Sequence, residues 1–440
     1  MDFYNNRYLR EVFIYGIGNL LFALLPLVMT PFLTRTFTVN QYGAIDLIYT
    51  TVLIIALLAN INLDTALLRF YHNEKYNKKT IITSVFILSA ILSIIFCLIS
   101  FLLFIFLKGL IFKSAEEFNA LVIALFSIPF VVILTNELTL LRVQRKAYIF
   151  VLISFLNLIT VFLLTVLFVK YTSWGIKSFF IAMLISYGLI SLGTIYYFKE
   201  SFSFSFLSAK LRKEMLSFGL PLLLPALVGT FLGSVNKYIL QFYHNFATVA
   251  TFAIGLRLSM AVTFIAIPFR QAWFPYVFSI IDKKDDVNTK IRFCFIFRIF
   301  IILLFGIITA TLIFAKQIVL LISNKNYLSA LPVIGYVCLG ATFISLSGSF
   351  FNLGIFRANK TIYSLIAYSI GFLVNFILAI ILIPEYSIVG AGISLLCGHF
   401  VTAMLLFYFS NKFYKIAYDL KLLFSLSLIY LIFSIILNKG

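Results

Sequence analysis

The sequence predicts an all-α, polytopic membrane protein: twelve membrane-spanning helices in two six-span halves, with a shorter apolar run left over at the C-terminus. Three observations predict it. Of 440 residues, 62% are hydrophobic and only 11% charged, and phenylalanine alone occurs 52 times. Soluble domains carry about 25% charged residues and cover themselves largely with polar groups. Second, apolar runs of the length a bilayer demands, about 20 residues at about 1.5 Å rise each, follow one another across short polar gaps. Third, the two halves of the chain echo each other in order. Lipid is therefore the solvent, which excludes a water-soluble enzyme, a secreted module and a disordered chain.

The first run covers 11–34. It is about twice the length of a signal-peptide core and has no clear small-residue cleavage site, so it is expected to stay as a membrane helix. Spans follow near 42–66, 81–107, 118–140, 148–169 and 176–198. After the polar gap Lys199 to Glu214, a second set lies near 215–240, 248–276, 293–315, 328–354, 362–383 and 388–410. The last run, Leu422 to Leu437, suits either a further span or an interfacial helix. The expected organisation is an N-terminal lobe over 1–200, a C-terminal lobe over 201–412 and a tail over 413–440. No gap between spans is long enough for a soluble catalytic domain.

Charge sets the orientation. The formal net charge is +19, and the cations gather in alternate gaps: Arg69, Lys75, Lys78 and Lys79; Arg142, Arg145 and Lys146; Lys199, Lys210, Arg212 and Lys213. The intervening gaps hold few, among them Arg35, Lys108 and Lys177. The positive-inside rule then places the N-terminus in the cytoplasm. A nucleic-acid partner is not expected, because such proteins cluster their cations on a soluble polar face. The cysteines Cys97, Cys294, Cys338 and Cys397 sit inside apolar runs without metal-ligand spacing and read as small buried hydrophobes. No metal site and no cofactor is expected. Trp174 and Trp273 lie near span ends, where interfacial anchoring accounts for them.

The repeat is weak in identity and consistent in order. Tyr42-Gly43-Ala44 answers Phe252-Ala253-Ile254, Asn157 answers Asn375, and Trp174-Gly175-Ile176 answers Val389-Gly390-Ala391, each pair a little over 200 residues apart. Six spans return the chain to its starting side, so the copies are parallel, an arrangement that recurs in transporters with substrate sites between the halves.

Two kinds of residue stand out inside the spans. The leading helix of each half carries breakers, Gly16, Gly18, Pro26 and Pro31 in the first, and Gly219, Pro221, Pro225, Gly229 and Gly233 in the seventh. Proline removes a backbone donor, which membranes tolerate where neighbours or a cavity satisfy the freed groups. Packing kinks and a hinge both fit. The second kind is charge, which costs about 2.5–3.5 kcal/mol at the bilayer centre and so normally meets a partner or a water-filled cavity. Arg257 lies about 13 Å deep, counted from residue 248. Lys237 lies three residues from the expected end of its span, within snorkelling reach. Arg270 and Arg298 complete a set of cations in the second half without an intramembrane acid. Such a set favours an anionic ligand, and arginine's planar fork suits phosphate. Asp46, Asp64 and Glu137 in the first half would serve as coupling groups, with H+ or Na+ as the ion, or as local ion pairs.

Further motifs carry a resemblance. Gly16 to Asn19, Pro31-Phe32-Leu33-Thr34-Arg35, Gln41-Tyr42-Gly43, Leu140-Leu141-Arg142-Val143-Gln144, Asn375 to Pro384 and Tyr386-Ser387-Ile388-Val389-Gly390-Ala391 together resemble the polysaccharide biosynthesis transporters. These are the Wzx-type oligosaccharide-lipid flippases of the multidrug/oligosaccharidyl-lipid/polysaccharide (MOP) superfamily. The resemblance covers about residues 8 to 410. It implies two six-helix lobes around a central cavity that opens alternately to either face of the bacterial cytoplasmic (inner) membrane. It implies as substrate an undecaprenyl-pyrophosphate-linked oligosaccharide unit, O-antigen of lipopolysaccharide or capsule, with membrane lipids, a polysaccharide polymerase and a chain-length regulator as partners. Related sequences often carry an acid-arginine pair in span seven, where this chain has Asn236-Lys237. On this reading Arg257, Lys237, Arg270 and Asn236 line the cavity. Other readings are a multidrug cation antiporter, which would prefer acids in the cavity, a peptidoglycan-precursor flippase, and a membrane enzyme, which would need a sizeable catalytic loop that the sequence lacks.

Overall fold

The computed structural model describes Leu25 and residues 27–72, 75–106, 114–203, 208–280, 287–358 and 360–439. Gly16, Pro26 and most of the expected first span lie outside the described residues. The protein is an all-α polytopic membrane protein, and no strand occurs among the described residues. Residues 27–36 form α1. There follow α2 (Val39–Asn60), α3 (Leu63–Phe70), α4 (Lys78–Phe106), α5 (Ala115–Leu125), α6 (Ile128–Val143), α7 (Ala147–Tyr171) and α8 (Lys177–Tyr197). Next come α9 (Ala209–Tyr243), α10 (Phe246–Ile280), α11 (Val287–Ile313), α12 (Ala315–Ile322), α13 (Leu331–Leu346), α14 (Leu353–Arg357), α15 (Ile362–Phe413) and α16 (Leu420–Lys439).

Among the described residues, eleven helical segments are long and apolar enough to cross a membrane. The longest, α15, is two helices joined at Ser387, whose φ of 47° is not helical. Pro384 cannot donate to the ladder there, and Gly390 lies against the Leu382 carbonyl with no room for a Cβ. With that division every expected span after the first has its counterpart, and α16 adds one more helix of spanning length.

Several spans are less regular than the apolar runs suggest. The expected 42–66 helix ends at Asn60, turns through Ile61 and Asn62 at φ 46° and 52°, and restarts as α3. Asp64 therefore sits in the first turn of a short helix and not inside a span. The expected 118–140 helix divides into α5 and α6 where Ser127 turns its hydroxyl to the Ala124 carbonyl at 2.6 Å. The helix after Leu331 loosens into a π-helical turn at Ser347–Phe351, a feature often found at functional positions.

Contacts divide the chain into two compact units, one containing Ala44–Leu227, the other Thr30–Gly43 with Val228–Gly440. The divisions fall inside helices, after Met29 in α1, after Gly43 in α2 and after Leu227 in α9, rather than in the loop 199–214. The α9 division lies between Pro225 and Gly229, and α9 runs unbroken through Pro221 and Pro225.

The first unit is held by apolar interlocking with a polar kernel where α2, α4 and α6 meet. Asn136 Nδ2 donates to Asn60 Oδ1 at 2.8 Å and to Ser89 Oγ at 2.9 Å. The second unit centres on aromatic rings. Phe269 stacks on Phe300 at 4.1 Å, and Phe297 meets Tyr418 at 4.5 Å and Phe350 at 5.2 Å. Trp273 belongs to this cluster: it is 4% exposed and donates Nε1 to the Ser349 carbonyl at 2.8 Å. It is a core residue and not an interfacial anchor, because α10 continues to Ile280. Trp174, 40% exposed, remains near the end of its span.

Candidate functional site

In the second unit the cations occupy different levels and faces. Arg257 is half-buried on α10. Two residues earlier, Gly255 packs on Val333 of α13, with Val333 Cγ1 2.7 Å from where a Cβ would stand. At 3.6 residues per turn Arg257 leaves the helix about 200° round from that contact. Arg270 lies on the same helix about 20 Å further along and about 220° round. Its Nε donates to the Ala266 carbonyl at 3.3 Å, and its guanidinium covers Gly348 of the π-helical turn. The two arginines therefore do not make one cluster: Arg270, with Trp273 one turn on, grips the turn.

Lys237 was expected within snorkelling distance of a helix end. The structure places it otherwise: α9 continues to Tyr243 and Lys237 is only 7% exposed. Beside it Asn236, 1% exposed, donates Nδ2 to the Ala391 carbonyl at 2.7 Å and to Ser394 Oγ at 3.1 Å. Asn375 donates to the Leu232 carbonyl at 3.0 Å. Two buried amides thus tie α9 to both halves of α15. Asn375 and Ser394 were not among the expected site residues. Asn375 carried a signal, an amide inside an apolar run, whereas a serine in a membrane helix carries little.

Arg298 has an acid after all. Its Nε donates to Asp419 Oδ2 at 2.9 Å. Asp419 precedes α16, outside every expected span, so a count of intramembrane charge misses it. The Thr34-Arg35 motif also gains a physical role. Thr34 Oγ1 donates to the Ile322 carbonyl at 3.1 Å and Arg35 donates to the carbonyls of Leu321 at 2.8 Å and Ser323 at 3.4 Å. A cation at the carboxyl end of α12 satisfies its last acceptors and opposes its dipole.

In the first unit Asp46 is 3% exposed, and the Thr50 hydroxyl donates to its main-chain carbonyl at 2.8 Å. Asp64 Oδ1 accepts from Asn60 Nδ2 at 2.8 Å, which links it through Asn60 to Asn136. Glu137, the next residue, is 0% exposed, and neither carboxyl oxygen has a hydrogen-bond partner among the described residues. Of the breakers, Gly219 lies against the Ile61 carbonyl with no room for a Cβ, which fixes α9 at the α2–α3 break. Pro221 and Pro225 sit inside the continuous α9. Among the described residues no group of His, Cys, Asp or Glu could hold a metal ion, and the four cysteines are unpaired.

Known proteins place this architecture. The fold is similar to that of the lipid II flippase MurJ in an inward closed conformation, with a TM-score of 0.78, 18% identity, and coverage of 96% of this chain and 92% of the other. It is also similar to a MOP superfamily transporter from Pyrococcus furiosus, with a TM-score of 0.66, 16% identity, and coverage of 92% and 95%. In sequence, the chain is 28% identical over 239 residues to the membrane protein MJ1068 of Methanocaldococcus jannaschii. That match covers 53% of this chain and just under half, 46%, of the relative. The family described as "Polysaccharide biosynthesis protein" matches residues 8–281. The chain thus belongs to the polysaccharide biosynthesis protein family, on the helical fold of the MOP superfamily transporters.

Proposed function

We propose that the protein is a flippase that moves an undecaprenyl-pyrophosphate-linked oligosaccharide repeat unit, destined for O-antigen or capsule, from the cytoplasmic to the periplasmic leaflet. The membrane is the bacterial cytoplasmic membrane, the N-terminus lies in the cytoplasm, and transport follows alternating access. The observation that carries this reading is the placement of two cations, buried Lys237 and half-buried Arg257, within the long apolar helices α9 and α10 of the second unit. A cationic lining favours an anionic ligand, and a pyrophosphate group would accept charge-assisted hydrogen bonds from it. Membership of the polysaccharide biosynthesis family supports the glycan part. A polymerase and a chain-length regulator acting on the flipped unit complete the expected partners.

A second reading, a peptidoglycan-precursor flippase, is favoured by the similarity to the lipid II flippase fold. A multidrug cation exporter fits less well, because the described acids of the first unit's spans, Asp46 and Glu137, are buried. The test is translocation in proteoliposomes of fluorescent lipid-linked oligosaccharide, lipid II and a lipophilic cation, each supplied separately. Wild-type protein should move the first, and Arg257→Ala should lower its rate at least tenfold while the protein stays folded in the membrane. Equal rates in the variant, or movement of the cation alone, would overturn the proposal.

A further inference from the structure

The first unit holds an acid that recognition of a phosphate headgroup does not use. Glu137 is fully buried in α6, and both its carboxyl oxygens lack hydrogen-bond partners among the described residues. An ionised carboxylate held in that state would be an uncompensated charge in a low-dielectric interior, which proteins avoid by neutralising the group. The direction of the side chain follows from its helix. Phe130 of α6 covers Gly188 of α8, its ring 3.9 Å from where a Cβ would stand. Glu137 follows seven residues on, about two turns, and so leaves the helix on the same face.

Among the described residues, the groups that would compensate it are otherwise engaged. Helix α6 packs, among the described residues, on α3, α4, α7 and α8, and through Asn136 on the end of α2, whose acid Asp46 lies about 21 Å along the helix from Asn60. On α8, Ser191 and Thr194 donate to their own helix at Gly188 and Ile190. Tyr187 meets Asn157, Tyr196 accepts from Lys199, Tyr197 lies under Lys146, and Lys177 stands at the opposite end of the helix. On α3, Asp64 accepts from Asn60, and Arg69 lies 4.2 Å from the Phe218 ring centroid. On α4, Lys78 lies over Tyr71, Cys97 donates to the Leu125 carbonyl, and Lys79 is about 15 Å along the helix from Ser89, which meets Asn136. On α7, Tyr148 and Tyr171 are exposed and Lys170 lies over Tyr171. On α6 itself Arg142 donates to Thr139 and lies about 140° round from Glu137.

The kernel beside Glu137 contains a backbone break. Asn136, the preceding residue, is held by Asn60, which is also bonded to Asp64. Asn60 ends α2 at a break where Ile61 holds φ 46°, a conformation that a β-branched residue adopts only under constraint. Straightening this break would withdraw Asn60 from Asn136, the residue next to Glu137 and about 100° round α6 from it. We infer that Glu137 is a proton-binding site, loaded in the described conformation and emptied when the α2–α3 break rearranges, so that one proton is exchanged per transport cycle. This rests on the flippase reading only for what the proton drives; occupancy of the site does not.

Two measurements separate these parts. Infrared difference spectra of wild type against Glu137→Gln, in nanodiscs at neutral pH, should show a protonated-carboxyl stretch in wild type that the variant lacks; a carboxylate band in its place would overturn the inference. In proteoliposomes a one-unit pH gradient is a tenfold ratio of proton activity and biases a one-proton exchange about tenfold. It should shift the leaflet distribution of lipid-linked oligosaccharide by up to that factor in wild type and leave Glu137→Gln unmoved. A wild type indifferent to the gradient, or a variant that still follows it, would overturn the coupling. If neither protein moves substrate, the flippase reading falls and the carboxyl band alone decides the proton site.

Discussion

Replacing Asn236 with alanine separates a strut from a substrate contact. The side chain makes two interhelical hydrogen bonds, to the Ala391 carbonyl and to Ser394 Oγ. Interhelical hydrogen bonds in membranes average about 0.6 kcal/mol and reach about 1.7 kcal/mol, so the pair is worth roughly 1–3 kcal/mol. Its Oδ1 is buried without a hydrogen-bond partner among the described residues, and deleting it returns part of that loss. The expected net cost is about 1 kcal/mol. Asn375→Ala, which loses a single bond to Leu232, should cost about half as much. The measurement is the unfolding equilibrium in mixed micelles of mild detergent and SDS, paired with flipping per folded molecule in proteoliposomes. Lower stability with flipping retained fits a residue that holds α9 against α15. Unchanged stability with flipping abolished would refute the strut and return Asn236 to the substrate path.

Other outcomes follow from local geometry. Gly354 donates its N–H to Ser410 Oγ at 2.7 Å and lies against the Ser410 carbonyl. Gly354→Ala should therefore cost about 1–3 kcal/mol of stability by overpacking, read in the same unfolding assay. Arg145, exposed and at φ 56°, follows α6 in a paired turn in which Lys146 N–H meets the Leu141 carbonyl and Arg145 N–H meets that of Arg142. Glycine is the residue this position favours, so Arg145→Gly should raise stability by about 0.5–1 kcal/mol, the left-handed penalty less the added chain entropy.

The spans were legible because lipid imposes one strong rule: about twenty apolar residues and every backbone group satisfied internally. That rule locates α4 or α11 well and says little about where a helix breaks within an apolar run. The break after Asn60 depends on Asn60 bonding to both Asn136 and Asp64, partners far away or on the next helix, so hydropathy carried 42–66 straight through it. Charges were visible and their partners were not. Arg298 meets an acid 121 residues on, and Lys237 reads as a snorkelling residue until α9 is seen to continue past it. The burial of Glu137 was suggested by its neighbours, but its lack of hydrogen-bond partners among the described residues is a property of helix packing that no single stretch of sequence records.

The prolines of α9 permit one further prediction. Pro221 and Pro225 leave the carbonyls four residues earlier without their helical donors, yet α9 stays helical from Ala209 to Tyr243 and passes from one compact unit to the other just after Pro225. A helix kept continuous with hydrogen bonds missing is cheap to bend where they are missing. Restoring the donor with Pro225→Ala favours the straight helix by up to about 3 kcal/mol. If bending of α9 accompanies each transport cycle, the variant should be more stable in mixed micelles, bind substrate as wild type does, and flip it at least tenfold more slowly, since each 1.4 kcal/mol added to a barrier is a factor of about ten. A variant that gains stability and flips at the wild-type rate would show α9 to be a rigid strut, and would move the hinge to the other described helices that cross between the units, α1 after Met29 and α2 after Gly43.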